Sequence, residues 1–327
     1  MLAYIARRLL AMIPLLIVVS IITFFIIQLP PGDFFDTLQA QVAETGGGMD
    51  SASLSVLRDQ YGLSQPFWVQ YYKWVSGFPK GDFGYSLDWK APVWPLVRDR
   101  MAYTILLGVM ALMFMVGVSV PFGVYSATHQ YSLADHSLSL LSFLGLPLPG
   151  FLLALLWMFF GALILGIDVG GVASPEFRNA PWSWPSFVDY VQHLIPPAII
   201  LGLASTAQLH RIMRGSTLDV LGQQYITTAR AKGLRERKVI NRYAVRVAIN
   251  PLISVIALEI PKIISQSALI GIVMSIPTTG PLFLRSLLSQ DMYLAGTFLL
   301  AMTVLLMVSN LIADILLAWA DPRIVYS

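Results

Sequence analysis

Gln223 to Ile249 reads QQYITTARAKGLRERKVINRYAVRVAI, a polar, Arg- and Lys-rich segment set between long apolar runs. Leu221, Tyr225 and Ala229 recur at four-residue spacing before Gly233, and Val239, Tyr243 and Val247 resume that spacing after it. Apolar residues four apart mark one face of a helix, and glycine most readily takes the left-handed conformation that ends one. The pattern predicts helix, glycine bend, helix. Arg235, Lys238, Arg242 and Arg246 line the polar side of the second helix, which suits a cytoplasmic surface beside anionic lipid. A solvated basic loop on the cytoplasmic side would show the same charges, so composition alone leaves both readings open.

The rest of the chain sets the class. Its 327 residues are 56% hydrophobic and 12% charged, with a mean hydropathy of +0.70, far more apolar than a soluble domain. This composition belongs to an integral membrane protein built of helices. The chain has no cysteine, which excludes a disulfide framework and a thiolate metal site. Leu9 to Leu29 is long enough to cross a bilayer, since about 20 residues at ~1.5 Å each span about 30 Å. Arg7 and Arg8 precede it, no small-x-small cleavage site follows, and the run exceeds a signal peptide's apolar centre of about 7–15 residues. It reads as a retained signal anchor.

Five further spans are expected at about Tyr103–Tyr125, Leu138–Leu165, His193–Met213, Leu252–Ile276 and Ala295–Trp319, making six. Pro147, Pro149 and Gly150 interrupt the third, Pro196 and Pro197 open the fourth, and Pro261 lies inside the fifth. Proline frees a carbonyl and bends a helix, which lipid tolerates only where neighbours or water satisfy the backbone. Three regions follow: residues 1–29 with the first span, a lobe over 30–100, and a five-helix core over 101–327 containing a loop at about 214–250. The lobe carries a Gly46-Gly47-Gly48 linker. Its aromatics Trp68, Tyr71, Tyr72 and Trp74 fit either an interfacial belt or a lobe core. Counting Lys and Arg on alternate sides of the spans, the dense side holds Arg7, Arg8 and the cluster from Arg211 to Arg246. That side is expected to be cytoplasmic, with both termini, and the lobe between the first and second spans faces outward.

Residue order now narrows the choice. Tyr225-Ile226-Thr227-Thr228-Ala229-Arg230-Ala231-Lys232-Gly233-Leu234 resembles the cytoplasmic coupling loop, or EAA-type motif, of permease subunits in bacterial ABC importers, and its ARAKGL core most resembles the dipeptide/oligopeptide/nickel branch. In the lobe, Tyr61-Gly62-Leu63 with Pro66, Gln70 and Tyr71, followed by Gly81-Asp82-Phe83-Gly84-Tyr85-Ser86, resembles the YGL-x-x-P-x-x-x-QY and GD-x-G-x-S segments of that family. Arg246 to Pro251 resembles its RNA-x-x-P segment with Val247 in place of Asn, Pro277-Thr278-Thr279-Gly280 stands where relatives show PG-x-G, and Gln290-Asp291-Met292-Tyr293 where they show RDYP. The ending Asp321-Pro322-Arg323 also matches. The glutamate that names the EAA motif is absent: Thr227 takes its place, and Gln223 and Gln224 stand where relatives carry an acid.

This resemblance implies the B-type subunit of a type I importer in the bacterial inner membrane, with the coupling loop between the fourth and fifth spans. It assigns ATPase coupling to Gln224, Tyr225, Thr228, Ala229, Arg230, Ala231, Lys232, Gly233 and Leu234, with Ala229 and Ala231 allowing close approach. It further implies a second permease of similar fold, two ATP-binding subunits that carry ATP and Mg, a periplasmic solute-binding protein and surrounding lipid. Nucleic acid has no part, and no cofactor is expected in this chain. Peptides are the first-choice solute, with oligosaccharide, glycoside, opine and nickel among the relatives' cargoes.

The residues themselves agree with a subunit that is not an enzyme. No Gly-x-x-x-x-Gly-Lys-Ser/Thr phosphate loop, Gly-x-Ser-x-Gly elbow or His-Glu-x-x-His zinc motif occurs in the sequence. Energy must then come from a partner. A secondary transporter or channel is the alternative, and such chains usually show repeated halves and broken helices around buried ions. Glu259 and Lys262 lie three residues apart in the fifth span, placed to pair with each other or to line the solute route. His129, His136, His193 and His210 show no shared ligand spacing on one membrane face, so no metal site is expected.

Overall fold

The computed structural model describes residues 2–44, 51–143, 148–166, 169–178 and 180–320. The Gly46–Gly48 linker, Pro147 and the Asp321–Arg323 ending lie outside them. Among the described residues the regular structure is helical, apart from one two-stranded hairpin in the lobe. Its helices are α1 (Leu2–Ile27), α2 (Phe34–Glu44), α3 (Ser51–Tyr61), α4 (Phe67–Gly77), α5 (Val93–Thr128), α6 (Leu133–Phe143), α7 (Gly150–Phe160), α8 (Trp184–Leu221), α9 (Gln224–Ala231), α10 (Glu236–Lys238), α11 (Val245–Ala248), α12 (Asn250–Val273), α13 (Thr279–Leu288) and α14 (Met292–Ala320). Strands β1 (Tyr85–Ser86) and β2 (Ala91–Pro92) pair antiparallel, Tyr85 opposite Pro92.

Among the described residues five helices are long and apolar enough to cross a membrane: Ile5–Ile27, Val93–Thr128, Trp184–Leu221, Asn250–Val273 and Met292–Leu317. The expected third span, Leu138–Leu165, is not one helix. Its chain is divided between α6 and α7, the latter prolonged by a π turn at Gly161–Leu165. Pro149 adopts φ −59° and ψ 138° at the start of α7, an extended conformation that cannot continue a helix from upstream. The second and fourth spans begin earlier than expected, at Val93 and Trp184, because charged residues after their first turns, Arg98 to Arg100 and Asp189, interrupt the apolar run. Pro196 and Pro197 therefore lie inside α8 rather than opening it, and Ser183 caps that helix by accepting from Ser186 N.

Two compact units divide the chain. The first comprises Met1–Tyr103 and Pro277–Met307, the second Thr104–Ile276 and Val308–Ser327. In the first unit, α4 turns Phe67, Gln70, Tyr71 and Trp74 toward α1. Trp74 is 3% exposed and stacks on Phe24 at 5.3 Å, and Tyr71 Oη meets Ser20 Oγ at 2.8 Å. Trp68 and Tyr72, on the other face, stay exposed. The four aromatics thus divide between a lobe core and an outer surface. Gln70 shows why the lobe's first motif carries a glutamine: buried, it donates from Nε2 to the Leu63 and Gln65 carbonyls (3.0 and 2.6 Å) and accepts from Gln28 Nε2 (3.0 Å).

The second lobe motif closes on a residue 205 positions away. Ser86 Oγ donates to Asp291 Oδ2 at 2.5 Å, and Asp291 also accepts from the Asp88 and Leu294 backbone N–H groups. Three donors hold a carboxylate with no exposed surface. Burial pushes the Asp291 carboxyl above its ordinary range, and these hydrogen bonds pull it back. Arg285 pairs with Asp88 at 2.7 Å and lies 4.7 Å over the Trp89 ring.

The second unit packs α5, α7, α8 and α12 around Leu107, Ala111, Ala154, Leu201, Ile263 and Ile270. Glycine brings α5 and α8 close. A Cβ on Gly202 would lie 2.8 Å from the Ala111 carbonyl oxygen, and one on Gly123 2.6 Å from Met213 Cβ. Membrane helices associate through such small-residue contacts because lipid supplies no hydrophobic drive between them. Gly202→Leu is therefore expected to destabilise this packing by about 3 kcal/mol or more, at the upper end of overpacking costs. A thermal unfolding curve of the purified chain checks this, with Gly202→Ala as the milder member of the pair.

Candidate functional site

The basic segment folds as helix, glycine bend, helix. Helix α9 ends in a Schellman motif: Lys232 closes the helix, Gly233 takes φ +73°, its N–H donates to Arg230 O (2.9 Å), and Leu234 N–H donates to Ala229 O (3.4 Å). Leu234 then folds back on Ile226 and Ala229, the apolar contact that accompanies such a cap. The loop has its own small core of Ile226, Ala229, Val239 and Ala244, with Val220, Leu221 and Leu234 against it. A loop with a private core keeps its shape as a body.

The apolar face differs from the four-residue reading. Ile226 and Ala229 point inward on α9, while Tyr225 is 42% exposed. After the bend, Val239 and Ala244 are buried, and Tyr243 and Val247 face outward. The cause is a π turn over Val239–Ala244, which inserts one residue per turn and moves the inward position from 243 to 244. Ala229, expected at the docking surface, is instead 5% exposed and serves the loop's core, as does Leu234 in part. Gln224, Tyr225, Thr228, Arg230, Ala231, Lys232 and Gly233 remain open. Thr228 Oγ1 donates back to Gln224 O at 3.0 Å.

Arg230 is engaged within the loop. Its Nε and Nη2 donate to the two carboxylate oxygens of Glu236 at 3.1 and 2.7 Å, a bidentate pair bridging the glycine bend. The Arg230 guanidinium lowers the Glu236 carboxyl below its ordinary range. Both side chains are well exposed, so the pair fixes geometry more than it stabilises. Glu236 escaped the sequence reading because a six-residue separation across a bend matches no helical spacing.

Three polar clusters pin the second unit's helices. Arg214 of α8 makes a bidentate pair with Asp135 of α6 at 3.0 and 2.9 Å, and His210 Nε2 meets Ser126 Oγ of α5 at 3.2 Å. Higher in α8, His193 Nδ1 donates to Asp189 O at 2.9 Å, and Asp189 accepts from Ser174 Oγ and N at 2.6 and 2.8 Å. In α12, Glu259 is 4% exposed and takes Lys262 Nζ on one oxygen (2.7 Å) and Ser205 Oγ of α8 on the other (2.6 Å). The Lys262 side chain is 58% exposed.

The chain thus has helices long and apolar enough to cross a membrane and, in its second unit, a separately cored, basic, glycine-bent loop. Comparison with known proteins identifies the group. Residues 119–326 match the family described as binding-protein-dependent transport system inner membrane component, and residues 1–108 match its N-terminal region. The chain belongs to this family of inner membrane transport subunits. It is 37% identical over 328 residues to the oligopeptide transport system permease protein AppB of Bacillus subtilis, covering all of both chains. It is 32% identical to the dipeptide transport system permease protein DppB of Escherichia coli K12, with 99% of each covered, and 32% to the oligopeptide permease protein OppB of Haemophilus influenzae, with all of each covered. The inward-facing MetNI methionine ABC transporter shares the fold, with a TM-score of 0.52 and 15% identity over 69% of this chain and 96% of that one. The protein is thus a permease subunit of an ATP-driven importer, and ATP hydrolysis belongs to a separate subunit.

Proposed function

We propose that this permease carries short peptides from the periplasm to the cytoplasm, driven through α9 by a pair of ATP-binding subunits that hold ATP and Mg. The support for peptide is the full-length likeness to oligopeptide and dipeptide permeases. The support for the coupling role is one observation: α9 is capped at Gly233 and packed on the loop's own core, leaving Gln224, Tyr225, Thr228, Ala231 and Lys232 on its open side. Such a body transmits a push from a neighbour instead of absorbing it, and packed helices respond by switching between arrangements. A second permease and a periplasmic solute-binding protein complete the assembly, and both termini lie in the cytoplasm with the Arg- and Lys-rich side.

The test is uptake of tri-alanine into proteoliposomes holding the chain with its partner subunits and solute-binding protein. ATP-dependent uptake that survives proton and sodium ionophores supports the importer reading; uptake by the lone chain driven by an ion gradient overturns it. Within that assay, Ala231→Trp is expected to reduce the ATP-binding subunit retained on purification by about tenfold or more, as bulk placed in a packed interface does. Tryptophan is tolerated in the isolated chain because Ala231 is exposed. Full retention of the ATPase by this variant places docking elsewhere.

A further inference from the structure

Helix α12 has one open stripe: Leu258, Lys262, Ser265, Gln266, Leu269 and Ile272 are its exposed positions beyond the first turn. The ends of this stripe are apolar and its middle is not. Lys262, Ser265 and Gln266 fall near the centre of a helix long enough to cross the membrane, where a cation facing lipid is strongly disfavoured. The arrangement of the ion pair sets which charge is presented. Glu259 is buried and held on its second oxygen by Ser205, while the Lys262 ammonium has one short bond to Glu259 and a mostly open side chain. An ammonium has three donors, so the pair shows the stripe a cation with donors to spare.

One turn along the same face, Gln266 lines a cavity of about 340 Å³ with Pro149, Gly150, Ala204, Leu269 and Ile270. Among the described residues no side chain caps α7, whose first residue is Gly150, so its backbone donors add positive potential at the cavity wall. Gln266 lines the cavity, Lys262 and Ser265 share its open stripe, and all three can donate hydrogen bonds, with the ammonium's charge selecting an anion as the acceptor. We propose that Lys262, Ser265 and Gln266 form a contact station on the transport route that takes the carboxylate of the passing solute. The proposal rests on the importer reading and deepens it, naming a carboxylate as the recognised group. A peptide C-terminus supplies one, and a uronic acid supplies the same chemistry.

The natural chain has no cysteine, so Gln266→Cys introduces its single thiol. In the assembled transporter, the thiol is challenged with anionic sulfonatoethyl and cationic trimethylammonioethyl methanethiosulfonate, and labelling is read as the mass of this chain. Both reagents are expected to label it, and the anionic-to-cationic rate ratio should fall about fivefold when Lys262→Gln is added, as removal of a unit charge one helical turn away requires. Ser265→Cys repeats the measurement should the first variant assemble poorly. Millimolar tri-alanine should slow labelling and tri-alanine amide should not. Protection by trigalacturonate alone keeps the carboxylate station and removes the peptide as its source. Equal protection by the amide, a ratio indifferent to Lys262, or a thiol closed to both reagents overturns the station. In each of those outcomes ATP-driven uptake decides the importer reading separately, so the two cannot fail unnoticed together.

Discussion

Replacing Gly233 with valine is expected to cut ATP-driven uptake more than tenfold while leaving membrane insertion and chain abundance unchanged. The reason is conformational rather than steric. A Cβ at Gly233 meets nothing within 4 Å, so no clash accompanies substitution. The backbone sits at φ +73°, where an L residue pays about 1–2 kcal/mol and a β-branched one more. That cost falls on the one residue whose left-handed turn lets Leu234 N–H reach Ala229 O and lets the Leu234 side chain close the loop's core. With the cap strained, α9 frays and the bidentate Arg230–Glu236 bridge across the bend loses its geometry. A penalty of about 2 kcal/mol shifts such a local equilibrium by roughly thirtyfold. Asparagine, which tolerates the left-handed region, should transport nearly as well as glycine, with alanine between asparagine and valine. Uptake that is the same across Gly, Asn, Ala and Val would show that the bend is dispensable.

Gly233 could be read from the sequence because a left-handed helix end is decided locally, by a glycine following a helical run. The membrane class and most of the crossings were legible for a similar reason, since long apolar runs leave little else for a chain to be. The features that escaped are those set by hydrogen-bond register or by distant partners. Tyr243 and Val247 keep a four-residue spacing with Val239, and nothing in their composition announces the π turn that sends them outward. Ser86 and Asp291 each sit in a recognisable motif, yet only the fold shows that one motif exists to hold the other. The two halves of the expected third span were marked by Pro149 and Gly150, but apolar length outweighed the break. Charged residues in the second turns of α5 and α8, Arg98, Asp99 and Arg100 in one and Asp189 in the other, hid the true starts of those helices. Glu259 and Lys262 stood out as neighbours on one helix, whereas Ser205, the residue that anchors the pair to α8, lies 54 positions away.

Arg214→Met is expected to be the most destabilising single change among the polar contacts of the second unit, by about 3 kcal/mol. Breaking a buried pair from one side leaves an uncompensated charge, which typically costs about 3–5 kcal/mol. The lower value applies because the Arg214 side chain is 28% exposed, although that of Asp135 is only 5% exposed. Hydrogen bonds from the Arg214 guanidinium, chiefly, and from Tyr131 N–H and Ser126 hold the Asp135 carboxyl down to about 2, against burial that acts the other way. The sign of the pH dependence follows. A carboxyl depressed from an unfolded value of about 3.9 contributes stability that is complete above that value and is lost as pH falls toward about 2. Thermal unfolding curves of the wild-type protein and Asp135→Asn should therefore stand apart at pH 7 and draw together only as pH falls from about 4 toward about 2. The Arg214→Met penalty should shrink over the same range, because protonation removes the charge left unpaired. Asp135→Leu combined with Arg214→Met should recover much of the loss, since removing both partners leaves no buried charge. A penalty that ignores pH would assign the effect to packing of the arginine stem. The pair joins α6 to α8 two turns before α8 gives way to the loop, and His210 to Ser126 ties the same stretch to α5. A push delivered at α9 can move helices only if α8 does not yield first, so a stable Arg214→Met variant that still docks its ATPase should hydrolyse ATP with less solute moved per turnover.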